Sequence, residues 1–324
     1  MAIISKEEIN KQKAERTGER GVNNQGCSMI IKEYINSKNI IIQFQDKYKA
    51  EIHTTYSAFK KGNVRNPFKY FERIGEKNIN TQGCLMKIIE YINAQNIIVE
   101  FQDEYKARIK TSYYAFVHGN INNPYFPSVC DVGMIGEKYP SRKNGVITKE
   151  YDTWKRMLHR CFDENYKNRQ QTYKDVTCCK EWLLFDNFYE WLHNQENFDK
   201  WYNGNLWAID KDILIKNNKI YSPETCCLVP NNVNSLFIKK DMCRGSLPIG
   251  VYKYKEKYRT SCNNPFTGIQ EQLGDSNTSE KAFQVYKLYK ENIIKQVAEI
   301  EYNKNNITKQ CYEAMINYEV EITD

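Results

Sequence analysis

Short runs of alternating apolar and polar residues fill the first third of the chain, and the series comes twice. Residues 29–35 and Asn39–Phe44 predict two strands joined by a polar turn at 36–38. Residues 48–52 predict a third, with Tyr48, Ala50 and Ile52 on one face and Lys49 and Glu51 on the other, after a hairpin at Gln45, Asp46 and Lys47. Tyr56–Lys60 predicts one helical turn that Gly62-Asn63 ends, and Asn66-Pro67 leads out of it. Residues 86–92, 96–101, 105–109 and 113–117 repeat this order. The stretch 18–68 aligns with 75–125 without a gap, and roughly three-fifths of the positions are identical. A copy of this size is small for an independent core, so the two are expected to pack on each other or to grip an extended ligand. A partial third head, Gly136-Glu137-Lys138, matches Gly18-Glu19-Arg20 and Gly75-Glu76-Lys77.

Beyond it the apolar period becomes helical. Tyr151, Trp154, Leu158 and Cys161 or Phe162 predict a helix over 149–162, with Lys155, Arg156, His159 and Arg160 outside. Trp182, Phe185, Phe188, Trp191 and Leu192 form a second stripe, ended at His193. Residues 209–215 and 226–229 predict two short strands around a polar turn at Lys216, Asn217, Asn218 and Lys219 and a bend at Tyr221, Ser222 and Pro223; Pro230 and Asn231 open a helix. Lys239 to Arg244 is a basic connector. Residues 251–254, 258–262 and 268–273 predict three strands, followed by a helix over 279–302 capped within 277–279. Its buried stripe is Ala282, Phe283, Tyr286, Tyr289, Ile293, Val297 and Ile300. The fold class is α+β and multidomain: a charged arm at 1–17, β-rich repeats at 18–70 and 75–130, a strand–loop–strand–helix module at 136–240, a three-stranded sheet with a helix at 246–302, and a short helix or tail at 303–324.

Composition adds constraints on partners. With 47 Lys and Arg against 40 Asp and Glu, the net charge of +7 favours an anionic partner such as nucleic acid. Eleven cysteines among 324 residues, with no apparent leader before them, point to reduced thiols and a cytoplasmic setting. Cys178-Cys179 and Cys226-Cys227 are adjacent pairs, so buried thiols are expected rather than a structural zinc site built on Cys161, Cys179 and Cys226. No stretch approaches the ~18 apolar residues of a membrane span, so no membrane partner is expected.

The middle of the chain resembles the HNH-type, ββα-metal proteins of bacteriophages. The resemblance rests on Asp210, Lys211, Asp212, Tyr221, Ser222, Pro223, Glu224, Cys226, Asn232 and Asn234. It extends upstream over Tyr151, Trp154, Met157, Arg160, Cys161, Tyr173, Cys179, Glu181, Trp182, Phe185, Phe188 and Trp191. It implies a fold in which one divalent cation, Mg2+ or a similar ion, is held by Asp210 and Asn234 and stabilises a phosphodiester transition state. Two departures bear on activity. Lys211 stands where the family has its general-base His, beside Asp212, and Thr225 stands where it has the Asn that props that base. A lysine begins near pKa ~10.4, and neighbouring carboxylates favour its ammonium form. His159 and His193 are the only nearby imidazoles that could fold over the site. Residues 250–302 resemble an AP2 DNA-binding domain through Gly250-Val251, Tyr258-Arg259, Leu273-Gly274, Thr278, Glu280, Ala282 and Tyr286, with Ser276 and 263–267 departing from it. That resemblance implies a sheet in the major groove, with Lys253, Lys255, Lys257 and Arg259 at the DNA.

Further DNA contacts are expected from Lys49 in the first repeat, from Lys106, Arg108 and Lys110 in the second, and from Arg156 and Arg160. Two functions follow. One is a phage-type DNA-binding protein related to HNH homing endonucleases, with a degenerate site and at most weak metal-dependent hydrolysis of duplex DNA. The other is a catalytically inactive binder of nucleic acid or of a protein or nucleoprotein complex, such as an inhibitor of a host nucleic-acid-targeting defence complex.

Overall fold

Each copy of the duplicated segment folds as its own four-stranded antiparallel sheet. The computed structural model describes residues 6–238 and 247–322, so the connector Lys239 to Arg244 and the first residues of the arm lie outside the described residues. The chain divides into two compact units, Met1–Asn123 and Pro124–Asp324.

In the first unit, helix α1 (Lys6–Arg16) precedes β1 (Arg20–Val22), β2 (Ser28–Asn36), β3 (Asn39–Phe44), β4 (Glu51–Thr54) and α2 (Tyr56–Lys60). The second copy gives β5 (Lys77–Ile79), β6 (Leu85–Asn93), β7 (Asn96–Phe101), β8 (Arg108–Thr111) and α3 (Tyr113–Val117). Strand order is sequential in both sheets. Matching register shifts interrupt β2 at Ile31/Glu33 and β6 at Ile88/Glu90, so the duplication preserves even the irregularities. The core of the first copy is Met29, Ile31, Tyr34, Ile40, Ile42, Phe44, Phe59 and Val64.

The residues shared by both copies are largely consumed in holding their loops. Buried Asn23 donates to the Val64 carbonyl at 2.8 Å and accepts from the Gln25 and Cys27 amides; Asn80 does the same with Ile121, Gln82 and Cys84. Gln25 accepts from the Asn66 amide, and Asn66 donates to Asp46 at 2.6 Å. Asp46 in turn accepts from the Tyr48 and Lys49 amides. That grip turns Lys49 left-handed at φ 48°, as Lys106 is at 54°. Strand three therefore starts at Glu51 rather than residue 48, and Tyr48 is exposed in the turn. The first strand of each sheet, three residues long, carried no periodicity to read.

An arginine straps the entrance of each sheet. The Arg16 guanidinium lies 4.2 Å from the Tyr56 ring centroid and donates to the Tyr34 hydroxyl; Arg73 lies 3.8 Å from the Tyr113 ring and 5.8 Å from that of Tyr91. The copies meet around Tyr70, which stacks on Tyr91 at 5.0 Å.

The second unit begins with a small hairpin, β9 (Arg142–Lys143) and β10 (Val146–Ile147). It continues through α4 (Lys149–Phe162), α5 (Glu164–Arg169), β11 (Thr177–Cys178), α6 (Phe185–His193) and α7 (Phe198–Asn203). Then come β12 (Trp207–Asp210), β13 (Ile220–Tyr221), β14 (Cys227–Pro230) and α8 (Asn231–Asn234). Last are β15 (Val251–Tyr254), β16 (Lys257–Asn263), β17 (Gln270–Ser276), α9 (Ser279–Asn303) and α10 (Lys309–Ile316). Gly136 opens the third head at φ 84°, but no third sheet follows. Instead the Asp186 carboxylate accepts from the amides of Glu137, Lys138 and Tyr139, and a Cβ on Gly136 would lie 2.0 Å from it.

β12 pairs with β14 antiparallel, Trp207 opposite Pro230 and Asp210 opposite Cys227, and α8 follows at once. β14 is buried on both faces. Cys226 and Leu228 face the aromatic core of Trp154, Trp182, Phe185 and Phe188, while Cys227 and Val229 face that of α9 and α10. The segments 136–240 and 246–302 therefore share a core, and so does the end of the chain through α10. The sheet β15-β16-β17 packs on α9, capped by Thr278 at the Lys281 amide. On α9 the buried row is Ile293, Ile294, Val297, Ala298 and Glu301; Ile300, expected inside, is 39% exposed. Two strand limits also differ from expectation. The strand expected over 209–215 ends at Asp210, because its carboxylate caps the next turn, and the one expected over 268–273 runs from Gln270 to Ser276.

Candidate functional site

A cleft of about 370 Å3 separates α4 from the β12–β14–α8 element. One wall is a single face of α4: Lys149, Asp152, Thr153, Arg156, Met157 and Arg160 recur at the three- and four-residue spacing of one helix side. Trp207, Ala208 and Ile209 of β12, Tyr221 of β13, and Asn231 and Asn234 of α8 form the other, with Trp201 closing one end.

Helix placement sets the chemistry. Trp154, Leu158 and Cys161 bury the opposite side of α4, with Met157 at the floor of the cleft between the two sides, and so turn the arginines to the cleft. Lys149 is spent at the end of α7, where Nζ donates to the carbonyls of Trp201, Tyr202 and Gly204, and burial pulls its pKa down. Arg156 pairs with Asp152 at 2.8 Å on the rim. Arg160 is half-buried, reaches the Tyr221 hydroxyl and lies 5.7 Å from the Tyr173 ring centroid. Burial pushes the Tyr221 phenol up while Arg160 opposes that, so Tyr221 stays neutral.

The positions taken as catalytic are engaged in structure. Lys211 is buried, and its Nζ donates to both Asp212 oxygens at 2.7 Å and to the Asn218 carbonyl at 3.2 Å. These contacts hold the amino group on Asp212 and the loop, and Lys211 does not line the cleft. Thr225 donates to the Ile220 carbonyl and accepts from the Ser222 amide, bracing the loop. His159 pairs with Asp163, and His193 with Glu150; neither lines the cleft.

Asp210 and Asn234 fare differently from each other. Asn234 opens into the cleft. Asp210 is buried, its Oδ1 accepting from the amides of Asp212 and Ile213, and it does not line the cleft. Burial pushes its carboxyl above the usual carboxylate range, against the pull of those amides. A raised folded-state pKa means that Asp210 costs stability as pH climbs through its unfolded value of ~3.9 to the folded one. Asp210→Asn, which keeps an acceptor oxygen, is expected to melt at or above the wild-type temperature at pH 7 and to lose that advantage at pH 3.5. Thermal melts at the two pH values check this; a variant destabilised at pH 7 would show that the charge is compensated. Among the described residues, no three His, Cys, Asp or Glu side chains converge to hold a metal ion.

The basic residues assigned to DNA differ in how far each is engaged within its own unit. Arg259 is locked to Asp275 through two bonds of 2.7 and 3.0 Å and lies 3.5 Å from the Tyr254 ring centroid. Lys257 and Arg259 share the open face of the sheet with Tyr254 and Tyr252, their cross-strand partners. Lys253 pairs with Tyr258 and points to the other face, and Lys255 sits in the turn at φ 53°. In the repeats, Lys49 and Lys106 occupy turns rather than a strand; Arg108 is matched by Glu100 at 2.9 Å; Lys110 is exposed on β8. Sequence reading gave Asn231 only as a helix start and did not see Trp201 and Trp207 as cleft walls.

Compared with protein-family models, curated proteins and solved structures, the chain matches none. Among the described residues no helix is long and apolar enough to cross a membrane.

Proposed function

We propose that this chain is a DNA-binding protein of the HNH-like, ββα type in which the catalytic position has been given over to structure, so that hydrolysis is weak at most. The observation that carries the reading is Lys211. It stands where the family's base belongs, with its amino group held by Asp212 and Asn218. The strand–loop–strand–helix order around it supports the family assignment, and the cleft beside Asn234 supports a polyanionic partner. The open face of β15-β16-β17 adds Tyr252, Tyr254 and Lys257 as a second contact surface.

The residues fit a hard cation in part. Among the described residues Asn234 makes no side-chain hydrogen bond, and the buried Asp210 carboxyl is one that a bound cation would hold ionised. Asp210 and Asn234 would hold Mg2+, which when bound would stabilise charge on a phosphate oxygen. The chain's own residues then bind and position the strand without activating water.

The test compares wild type with Asp210→Ala on supercoiled plasmid in Mg2+ and Mn2+, with gel retardation of the same DNA alongside. Retardation by both proteins, with nicking absent or below about one-hundredth of an active control, is the expected result; a single lost general base accounts for ~10²–10⁴-fold in rate. Efficient nicking that disappears in Asp210→Ala would establish an active nuclease instead. Retardation by neither protein would remove DNA as the partner and favour the inactive regulator that binds a protein complex.

A further inference from the structure

Three side chains in the α4 cleft present hydrogen-bond donors that no acidic group among the described residues answers. Among the described residues, Asn231 and Asn234 make no side-chain hydrogen bond, whereas their neighbour Asn232 is tied to Glu301 at 3.1 Å. Arg160, half-buried, meets only the phenol of Tyr221 and the ring of Tyr173, with no carboxylate among the described residues. Withdrawing a guanidinium from water without a counter-ion is costly, and tyrosine oxygens return only part of that cost. The cleft also carries Lys149 and Arg156 against one carboxylate, Asp152, so its field is positive. Its volume, about 370 Å3, lies within the ~300–1,000 Å3 typical of ligand sites.

Resting on the DNA-binding reading above, we infer that this cleft is a phosphate-ester site that receives one backbone phosphate of a nucleic-acid strand. Arg160 is its anchor, and the carboxamides of Asn231 and Asn234 are its neutral donors. A guanidinium flanked by amide donors is the set that fixes a phosphate in position without reading a base. Lys211 and Asp212 lie outside the site, which binds the strand and leaves it intact. Arg156, tethered to Asp152 at the rim, contributes charge and not geometry.

The experiment uses the full chain and a labelled twenty-base-pair duplex, the matching single strand and adenosine 5′-monophosphate, followed by fluorescence anisotropy over a salt series. Arg160→Met keeps an unbranched apolar stem and removes the charge; the double variant Asn231→Ala/Asn234→Ala touches side chains that make no hydrogen bond among the described residues and guards against a folding defect in the first. Each variant is checked by far-ultraviolet circular dichroism and thermal melting. Arg160→Met is expected to weaken strand binding about tenfold and to lower the salt slope by about one, as loss of one phosphate contact does. The asparagine pair is expected to weaken it several-fold at an unchanged slope. Wild-type binding that both folded variants retain in full would overturn the cleft assignment and leave the DNA-binding reading standing. Binding of the mononucleotide alone, lost in both variants, would keep the phosphate site and overturn the strand as its source. No binding of any of the three probes by wild type would overturn both.

Discussion

Cutting the chain after Lys304 is expected to leave the Pro124–Asp324 unit unfolded. The last residues read in sequence as a short helix or tail, and Ile307, Cys311, Met315 and Val320 are buried to 3% exposure or less in a core with Val229, Val233, Val297 and Ala298. Each fully buried large apolar side chain contributes roughly 1.5–3 kcal/mol, so Ile307, Met315 and Val320 together amount to about 5–9 kcal/mol, comparable to the ~5–15 kcal/mol that holds a typical domain folded. Polar ties would go as well. Asn197 donates to the Asn306 carbonyl, Lys216 to that of Glu319, and the Val320 amide to Glu291. All five tryptophans lie in this unit, so emission reports it without interference. A red-shifted emission maximum and loss of a cooperative melt are expected for the truncated chain. A soluble truncation with native emission would mean that α10 is an accessory and not part of the core.

Asn80→Ala is expected to destabilise the second repeat by about 2–4 kcal/mol. The buried carboxamide satisfies the Ile121 carbonyl and the amides of Gln82 and Cys84; an alanine leaves the buried carbonyl unsatisfied at ~1–3 kcal/mol and gives up the two part-buried amide bonds at ~0.5–1.5 kcal/mol each, since water can partly replace those. Asn23→Ala should match it in the first repeat, because its bonds are the same. Urea unfolding followed by circular dichroism, together with hydrogen-exchange protection across residues 75–123, would check both. Unchanged protection of the Cys84 amide in Asn80→Ala would show that the loop is held by something other than this side chain.

The sequence made some parts of this molecule readable and hid others for physical reasons. Helix α4 begins and ends where its aromatic spacing places it, and the structure adds Thr148 as the cap, its side chain accepting from the Tyr151 amide. The limits of α9 were read to within a residue for the same cause. Strands were read less well wherever a side chain seized the backbone. Asp46 pulls residues 48–50 out of β4, and Asp210 ends β12 five residues early, both by accepting amides two and three positions on. The parallel pairing of Thr177 with Ile220 joins segments too short to show any pattern. At the site, Asn234 and Arg160 were legible as candidates, and the structure brings them to one cleft. The charge balance was not legible. Arg108 with Glu100, and Arg259 with Asp275, look like free cations in a linear string because their carboxylates come from other strands. Lys211 could be seen to replace an imidazole, but its immobility depends on Asn218, across the loop.

The arginine straps of the first unit carry a consequence for how such chains lengthen. Arg16 and Arg73 stand at equivalent positions ahead of the two sheets, each resting on the pair of tyrosines that its own sheet supplies. Every copy therefore arrives with both halves of its fastening, the arginine ahead of the sheet and the tyrosines within it. Duplicating the stretch as a whole, arginine included, reproduces the strap together with the sheet it closes.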